Sequence, residues 1–321
     1  MAIPPPIPVI DLAGMGEAKT DARIIEALAA AYGDLGFGYV INHGVAQHLI
    51  DDVFAASTRL HAANPAVKAA IAVNHAHRGY IALNSSTDVT SDLAEVTKPN
   101  QSESFMMMRE DAIADPGIYL SGPNQWPQEA VGLAPFRDPV TAYHDAMCDL
   151  GQRLMPLMIR AAGIDPATIM DAFETPTTWL RLLHYPPAPE NRPEDLYGSA
   201  PHRDFGAITL LAQDDVGGLQ VMTPDGDWLD VPRLPGSFVV NVGDMLHRLS
   251  NGRLISTPHR VINRSGRERY SCPFFFDPHV HTMISPLPGT GDPAFEPIRF
   301  DAFLRSELEA SYDAHKVDNK S

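Results

Sequence analysis

The chain has 321 residues, 44% hydrophobic and 20% charged, a composition suited to a folded core and too apolar for a disordered chain. Its 24 Lys and Arg against 40 Asp and Glu give a formal net charge of −16, and so acidic a surface repels phosphate backbones, so no nucleic-acid partner is expected. Two cysteines, Cys148 and Cys272, stand far apart, which excludes a disulfide scaffold and a thiolate zinc cluster and suits a reducing, cytoplasmic setting.

The first residues, MAIPPPIPVIDLAG, carry no positive segment ahead of a long apolar run, so no secretory leader is expected. No stretch of 18 consecutive apolar residues occurs, so no membrane-spanning helix is expected either. PIPVIDL at 6–12 reads as a short strand entered through prolines. Helical spacing at Ile24, Ile25, Leu28 and Ala31 predicts a helix over 19–33. FGYVINHG at 37–44 reads as an apolar strand ended by a turn. A second helix is expected over 46–61, burying Leu49, Ile50, Phe54 and Leu60. Residues 74–128, rich in Gly, Pro, Asn and Ser, read as loops and short strands that could cover a site, with the three methionines at 106–108 either lining it or filling an irregular core. The clearest helix is 138–161, with Val140, Tyr143, Met147, Leu150, Leu154 and Leu157 in register and Pro156 as a candidate kink. Another helical segment is expected at 165–173.

From residue 178 the rhythm changes to short strands: WLRLLHYP, AITLLAQD, GLQVMTP, WLDVP, GSFVVNVGD, HRVIN and RYSCPFFFDP. GG, DG, PG, NG and SG pairs punctuate them, which argues for an antiparallel sandwich or barrel. FLRSELEASY at 303–312 reads as a final helix, and DAHKVDNKS as a polar tail.

The sharpest chemical feature is His202-Arg203-Asp204. In a strand, side chains two apart share a face, so His202 and Asp204 would point inward together and Arg203 away. His-x-Asp alone is a common pattern; His259, in STPHRVIN, supplies the candidate third arm. Two His and one carboxylate are the facial set of non-haem ferrous oxygenases, and equally a catalytic zinc set. Arg269 and Ser271 would share a strand face and could hold a carboxylate through charge-assisted hydrogen bonds. Tyr185 offers a hydroxyl, or a core ring before a proline turn. Asn241, Asp244 and Asn251 read as residues of strand ends and turns, and Phe205, Phe274 and Phe276 as packing, with walling of the pocket by some of them left open.

Longer motifs surround these residues, and His259, Arg269 and Ser271 lie inside them. PVIDL (8–12), GFGYVINHGV (36–45), GPNQWP (122–127), the run DVGGLQVMTPDGDWLDVPRLPGSFVVNVGDMLHRLSNGRLISTPHRV (215–261) and RYSCPFFFDP (269–278) occur in one order. On them the chain resembles the isopenicillin-N-synthase-like branch of the Fe(II)/2-oxoglutarate-dependent dioxygenases. The resemblance implies a mainly β fold with flanking helices, built on a double-stranded β-helix, or jelly roll. It implies an N-terminal α/β region at 1–125, linking helices at 126–177, the jelly-roll core at 178–282, and a C-terminal helix and tail at 283–321. His202, Asp204 and His259 match the iron ligands. Arg269 and Ser271 match the pair that anchors the far carboxylate of 2-oxoglutarate, and Tyr185 matches a nearby tyrosine. The asparagine expected two positions before that tyrosine is Leu183 here. The name-giving synthase uses no 2-oxoglutarate, so a 2-oxoglutarate-independent oxidase or cyclase stays open, as do an ethylene- and succinate-forming variant and a metal-binding module without activity. The metal carboxylate Asp204 argues against halogenation.

The implied reaction uses Fe(II), 2-oxoglutarate and O2, yields succinate and CO2, and hydroxylates, desaturates or cyclises a small organic molecule. Phe105, Met106, Met108, Arg181, His184 and Leu219 are the candidate substrate-lining residues, with Arg181 or His184 placed to hold an acidic group.

Overall fold

Runs of β-branched and aromatic residues build the frame. In the computed structural model, which describes residues 7–87, 93, 96–128, 132–189, 191, 193 and 195–312, they form two facing sheets. In chain order the elements begin with β1 (Val9–Asp11), α1 (Ala18–Asp34), β2 (Phe37–Ile41), α2 (Gln47–His61), α3 (Pro65–Ala69), β3 (Gly79–Ile81), β4 (Glu103–Met108) and α4 (Arg137–Ala161). They continue with β5 (Thr177–Tyr185), β6 (Ser199–His202), β7 (Ile208–Gln213), β8 (Leu219–Met222), β9 (Trp228–Asp230), β10 (Ser237–Val242) and α5 (Asp244–Leu249). The last are β11 (His259–Val261), β12 (Arg269–Asp277), β13 (Met283–Ile284), β14 (Ile298–Arg299) and α6 (Phe300–Ser311). The proline run at 4–6 and the tail from 313 lie outside the described residues.

The major sheet has eight strands in the order β1-β2-β10-β7-β12-β5-β4-β3, and the minor sheet four in the order β6-β11-β8-β9. The major sheet thus draws four strands from the N-terminal segment 1–125 and joins them directly to the strands that follow residue 177. β1 lies parallel to β2, and the other pairings within these two sheets are antiparallel. These two sheets make the jelly roll, with helices packed outside.

Side-chain parity gives the major sheet two different faces. Outward-pointing Val40, Leu180, Leu182, Leu210, Val240, Phe274 and Phe276 pack under α1, α2 and α4 in one core. Inward-pointing Phe37, Tyr39, Leu183, Tyr185 and Val239 meet Leu219, Val221 and Val261 of the minor sheet in a second core. Burial on both faces explains why these strands read as nearly continuous apolar runs. Gly36, at φ +71°, turns the chain from α1 into β2; a Cβ there would lie 2.1 Å from the Ile255 carbonyl oxygen, so only glycine fits.

The helices at 19–33 and 138–161 form within a residue or so of expectation, and α4 continues through Pro156. α2 is rotated from its predicted stripe: Val53, Ala56 and Leu60 are buried, while Leu49, Ile50 and Phe54 flank the core. The helix expected at 165–173 is instead two 3-10 turns, Pro166–Thr168 and Met170–Phe173, each too short to need an amphipathic face. The three methionines form the end of β4, a fully buried strand. No described helix is long and apolar enough to cross a membrane.

Candidate active site

His202 ends β6, Asp204 lies two residues beyond it, and His259 begins β11; β6 and β11 pair antiparallel with His202 opposite His259. Pairing places the two imidazoles 4.3 Å apart, centroid to centroid. Asp204 Oδ1 is 3.8 Å from His202 Nε2 and 3.6 Å from His259 Nε2. One ligand atom from each residue falls within 4.8 Å of the others, the only such group of three metal-binding side chains among the described residues.

The surrounding bonds orient these donors. Backbone carbonyls only accept, so the contacts of His202 Nδ1 to Ala200 O (2.7 Å) and His259 Nδ1 to Thr257 O (3.3 Å) put the ring protons on Nδ1. Each Nε2 is then the unprotonated nitrogen, turned toward the shared point. Asp204 Oδ2 accepts from Asn241 Nδ2 at 2.7 Å and from the Thr209 hydroxyl, which leaves Oδ1 for an ion. Burial opposes the charge on Asp204, but the pull of the His259 and His202 rings when protonated, with the hydrogen bonds from Asn241 and Thr209, outweighs it and holds the carboxyl below its usual range. Two neutral imidazoles and one carboxylate, with no fourth protein donor in the group, fit a divalent ion that keeps open positions.

Beside the triad lies a cavity between the two sheets. Arg269 and Ser271, on inward positions of β12, line it with Tyr185, Leu183, Leu211 and Leu219. Arg269 is only 1% exposed. Its Nε donates to Gly217 O at 2.6 Å, its two Nη atoms contact Ser271 Oγ at 3.3 Å and Gln213 Oε1 at 3.4 Å, and its guanidinium lies 4.6 Å from the Tyr185 ring centre. No described carboxylate pairs with it. Tyr185 therefore serves as the surface on which the arginine stacks.

A second cavity also borders the triad, at His202 and Asp204. Met106, Trp179, Phe205 and Phe275 wall it, Leu304, Leu308 and Tyr312 of the C-terminal segment cover it, and Arg181 borders both cavities. Asp277 also faces it: burial and the Asp204 charge push its carboxyl up to about 7, against hydrogen bonds from Ala207 N and Trp179 Nε1.

The predicted substrate-lining residues separate by parity. Met106 and Arg181 reach the second cavity, and Leu219 the first. Phe105 and His184 are corrected: both point to the helix side of the sheet, Phe105 against Trp126 and Phe136, His184 against Glu103 and Tyr270. Met108 is corrected too: it shares the face of Met106 but lies one repeat farther along, beside Arg78 and Thr178 in a separate hollow. Arg203, expected to point away from the site, borders the second cavity.

Residues 176–278 match the family model described as the 2OG-Fe(II) oxygenase superfamily, and residues 7–129 match the N-terminal region of non-haem dioxygenases in morphine synthesis. A 2-oxoglutarate-Fe(II) type oxidoreductase of Emericella nidulans is 34% identical over 310 residues, covering 92% of this chain and 86% of the relative. The chain belongs to the 2OG-Fe(II) oxygenase superfamily. The crystal structure of a full-length Neurospora crassa protein in complex with alpha-KG and thymine superposes with a TM-score of 0.83 at 28% identity, covering 95% of this chain and 97% of that one. JOX2 in complex with 2OG, Fe and JA superposes with a TM-score of 0.78 at 29% identity, covering 96% and 89%. The oxygenase is thus an Fe(II)- and 2-oxoglutarate-dependent oxidoreductase, with His202, Asp204 and His259 as its metal triad.

Three residues of the oxygenase escaped the sequence reading. Asn241 and Thr209 hold Asp204, although Asn241 reads as a strand-end residue. Gln213 reaches Arg269. The available signal was parity: each is a polar residue on the inward row of an otherwise apolar strand, where an unpartnered polar group is costly.

Proposed function

We propose that Arg269 and Ser271 bind the far carboxylate of 2-oxoglutarate in the cavity beside the triad, and that a small organic substrate is oxidised in the second cavity. The observation that carries this reading is a fully buried guanidinium with no acidic partner. Leaving such a cation uncompensated costs several kcal/mol, on the order of 3–5 when a partner is removed, and an anionic co-substrate relieves that cost. When bound, Fe(II) and 2-oxoglutarate supply oxygen activation coupled to decarboxylation, with succinate and CO2 as products. The chain's own residues do the rest. Gly217 O, Ser271, Gln213 and the Tyr185 ring fix the arginine fork, so the co-substrate is held in one orientation. Leu183 and Leu211 dry the cavity around it. Trp179, Phe205 and Phe275 exclude water on the substrate side.

The order of the motifs from PVIDL to RYSCPFFFDP supports placing the chain in the isopenicillin-N-synthase-like branch. Within the superfamily the substrate is not inherited with the fold: the Neurospora crassa protein is crystallised with thymine, and a relative from Arabidopsis thaliana, 30% identical, is a homoarginine-6-hydroxylase.

Anaerobic titration of 2-oxoglutarate into the ferrous protein tests the reading. A weak visible charge-transfer band is expected, with Arg269→Ala raising the Kd by roughly tenfold or more and Arg269→Lys recovering part of the loss. A Kd unchanged in Arg269→Ala would remove Arg269 from the co-substrate site.

A further inference from the structure

Arg181 carries a second unbalanced charge. It sits on an inward position of β5, between the two cavities. Its Nε donates to Ser104 Oγ at 2.9 Å and its Nη1 to the Tyr312 hydroxyl at 3.2 Å, with the Tyr312 ring 5.8 Å from the guanidinium. Both acceptors are neutral. Nη2 has no protein acceptor, and no carboxylate pairs with Arg181, among the described residues. Tyr312 is itself braced by His77, ring to ring at 4.7 Å. The guanidinium is therefore held in one orientation with both N–H groups of Nη2 left for the cavity.

The other charges around it are already engaged. Asp204 belongs to the metal, and Arg269 faces the co-substrate's far end. Asp277 accepts from Trp179 Nε1 at 3.1 Å and from Ala207 N at 2.6 Å. Arg203 adds a further positive charge at the rim rather than a counter-charge. The remaining walls are mostly apolar or aromatic, through Met106, Trp179, Phe205 and Phe275, with His77, Asn100 and Ser199 adding polar atoms. A fixed cation at one end of an apolar slot selects a molecule with a carboxylate at one end and a flat or cyclic apolar body at the other.

We propose that Arg181 is the specificity residue of this oxygenase, and that its substrates are small ring-bearing monocarboxylic acids whose carboxylate pairs with Arg181 Nη2 while the ring lies against Trp179, Phe205 and Phe275. This rests on the assignment of Arg269 to 2-oxoglutarate, which leaves Arg181 to the substrate.

The test needs no turnover. The full chain is loaded with Mn(II) and 2-oxoglutarate without oxygen. It is titrated with benzoate, phenylacetate and 3-phenylpropionate and with the primary amide of each. Quenching of tryptophan fluorescence reports binding, since Trp179 lines the cavity and the chain has three tryptophans. At least one acid is expected to bind roughly tenfold or more tighter than its amide. In Arg181→Met that preference disappears, in Arg181→Lys part of it returns, and the 2-oxoglutarate Kd, measured separately by calorimetry, stays within about twofold of the parent. If no acid outbinds its amide in the unmodified protein, the proposal fails whether or not the variants fold. If Arg181→Met instead weakens 2-oxoglutarate, Arg181 belongs to the co-substrate and the proposal fails. Failure of the Arg269 assignment reads out differently, as an unchanged 2-oxoglutarate Kd in Arg269→Ala.

Discussion

Asp204 commits one carboxylate oxygen to Asn241 and Thr209 and keeps the other, which would hold the metal. That division keeps the carboxylate from rotating, and with the two Nδ1–carbonyl bonds it fixes all three donors before any ion arrives. Residues that orient ligands in this way typically contribute about 10–100-fold to metal affinity. Asn241→Ala is expected to weaken Mn(II) binding by about that factor without abolishing it, and Asp204→Ala to abolish it, both measured by calorimetric titration. Equal affinity in Asn241→Ala and the parent would show that the Asn241 contact does not constrain the ligand. The triad itself was legible because the local His-x-Asp spacing at 202–204 is joined by a histidine inside the long motif at 215–261. Asn241 was not, because an asparagine in VVNV followed by GD reads locally as a strand end, and only the barrel shows what lies across from it.

At the scale of elements, the outer face of β4 and β5 is clamped to α3 and β3 by a buried carboxylate. Glu103 accepts from His184 Nδ1 at 2.8 Å and Lys68 Nζ at 2.9 Å, and from the Tyr80 hydroxyl. Burial alone would raise its pKa; the bonds from His184, Tyr80 and Lys68 outweigh that and hold it at about 2, against 4.5 when unperturbed. A carboxyl lowered by folding stabilises the native state fully above its unfolded pKa and progressively less as pH falls toward its folded one. Glu103→Gln is therefore expected to cost about 2 kcal/mol at pH 7, in the range for hydrogen bonds to a charged group. The cost should shrink between pH 4.5 and 2. Urea unfolding followed by circular dichroism at a series of pH values checks this; parallel loss of stability in variant and parent would refute it. His184, expected in the substrate pocket, does its work here. Its sequence position gave strand and neighbourhood correctly, but which face an inward or outward residue occupies depends on register with β4 and β12.

At the scale of the whole molecule, the metal ties two paired strands of the minor sheet to the loop after β6, so an ion that binds only the folded state stabilises the entire chain. At a concentration one hundred times its Kd, Mn(II) should add about 2.7 kcal/mol. For a chain of this size that is roughly 5 °C in Tm. Thermal melting with and without chelator measures it, and His259→Ala should show no metal-dependent shift. A comparable shift in that variant would place the stabilising ion elsewhere.

Most strands and helices, the jelly-roll class and the three metal ligands were legible in the linear chain, because hydrophobic period and motif order belong to it; the helix read at 165–173 was not. Which rows of β4 and β5 face the cavities emerged only once the strands were paired. The tertiary structure alone brought Thr209 and Asn241 to Asp204, left Arg181 without a counter-charge, and laid Leu304, Leu308 and Tyr312 over the second cavity. Those outcomes depend on strand register and on contacts between residues distant in the chain, and a one-residue shift in pairing would reverse them without altering the pattern read from the chain.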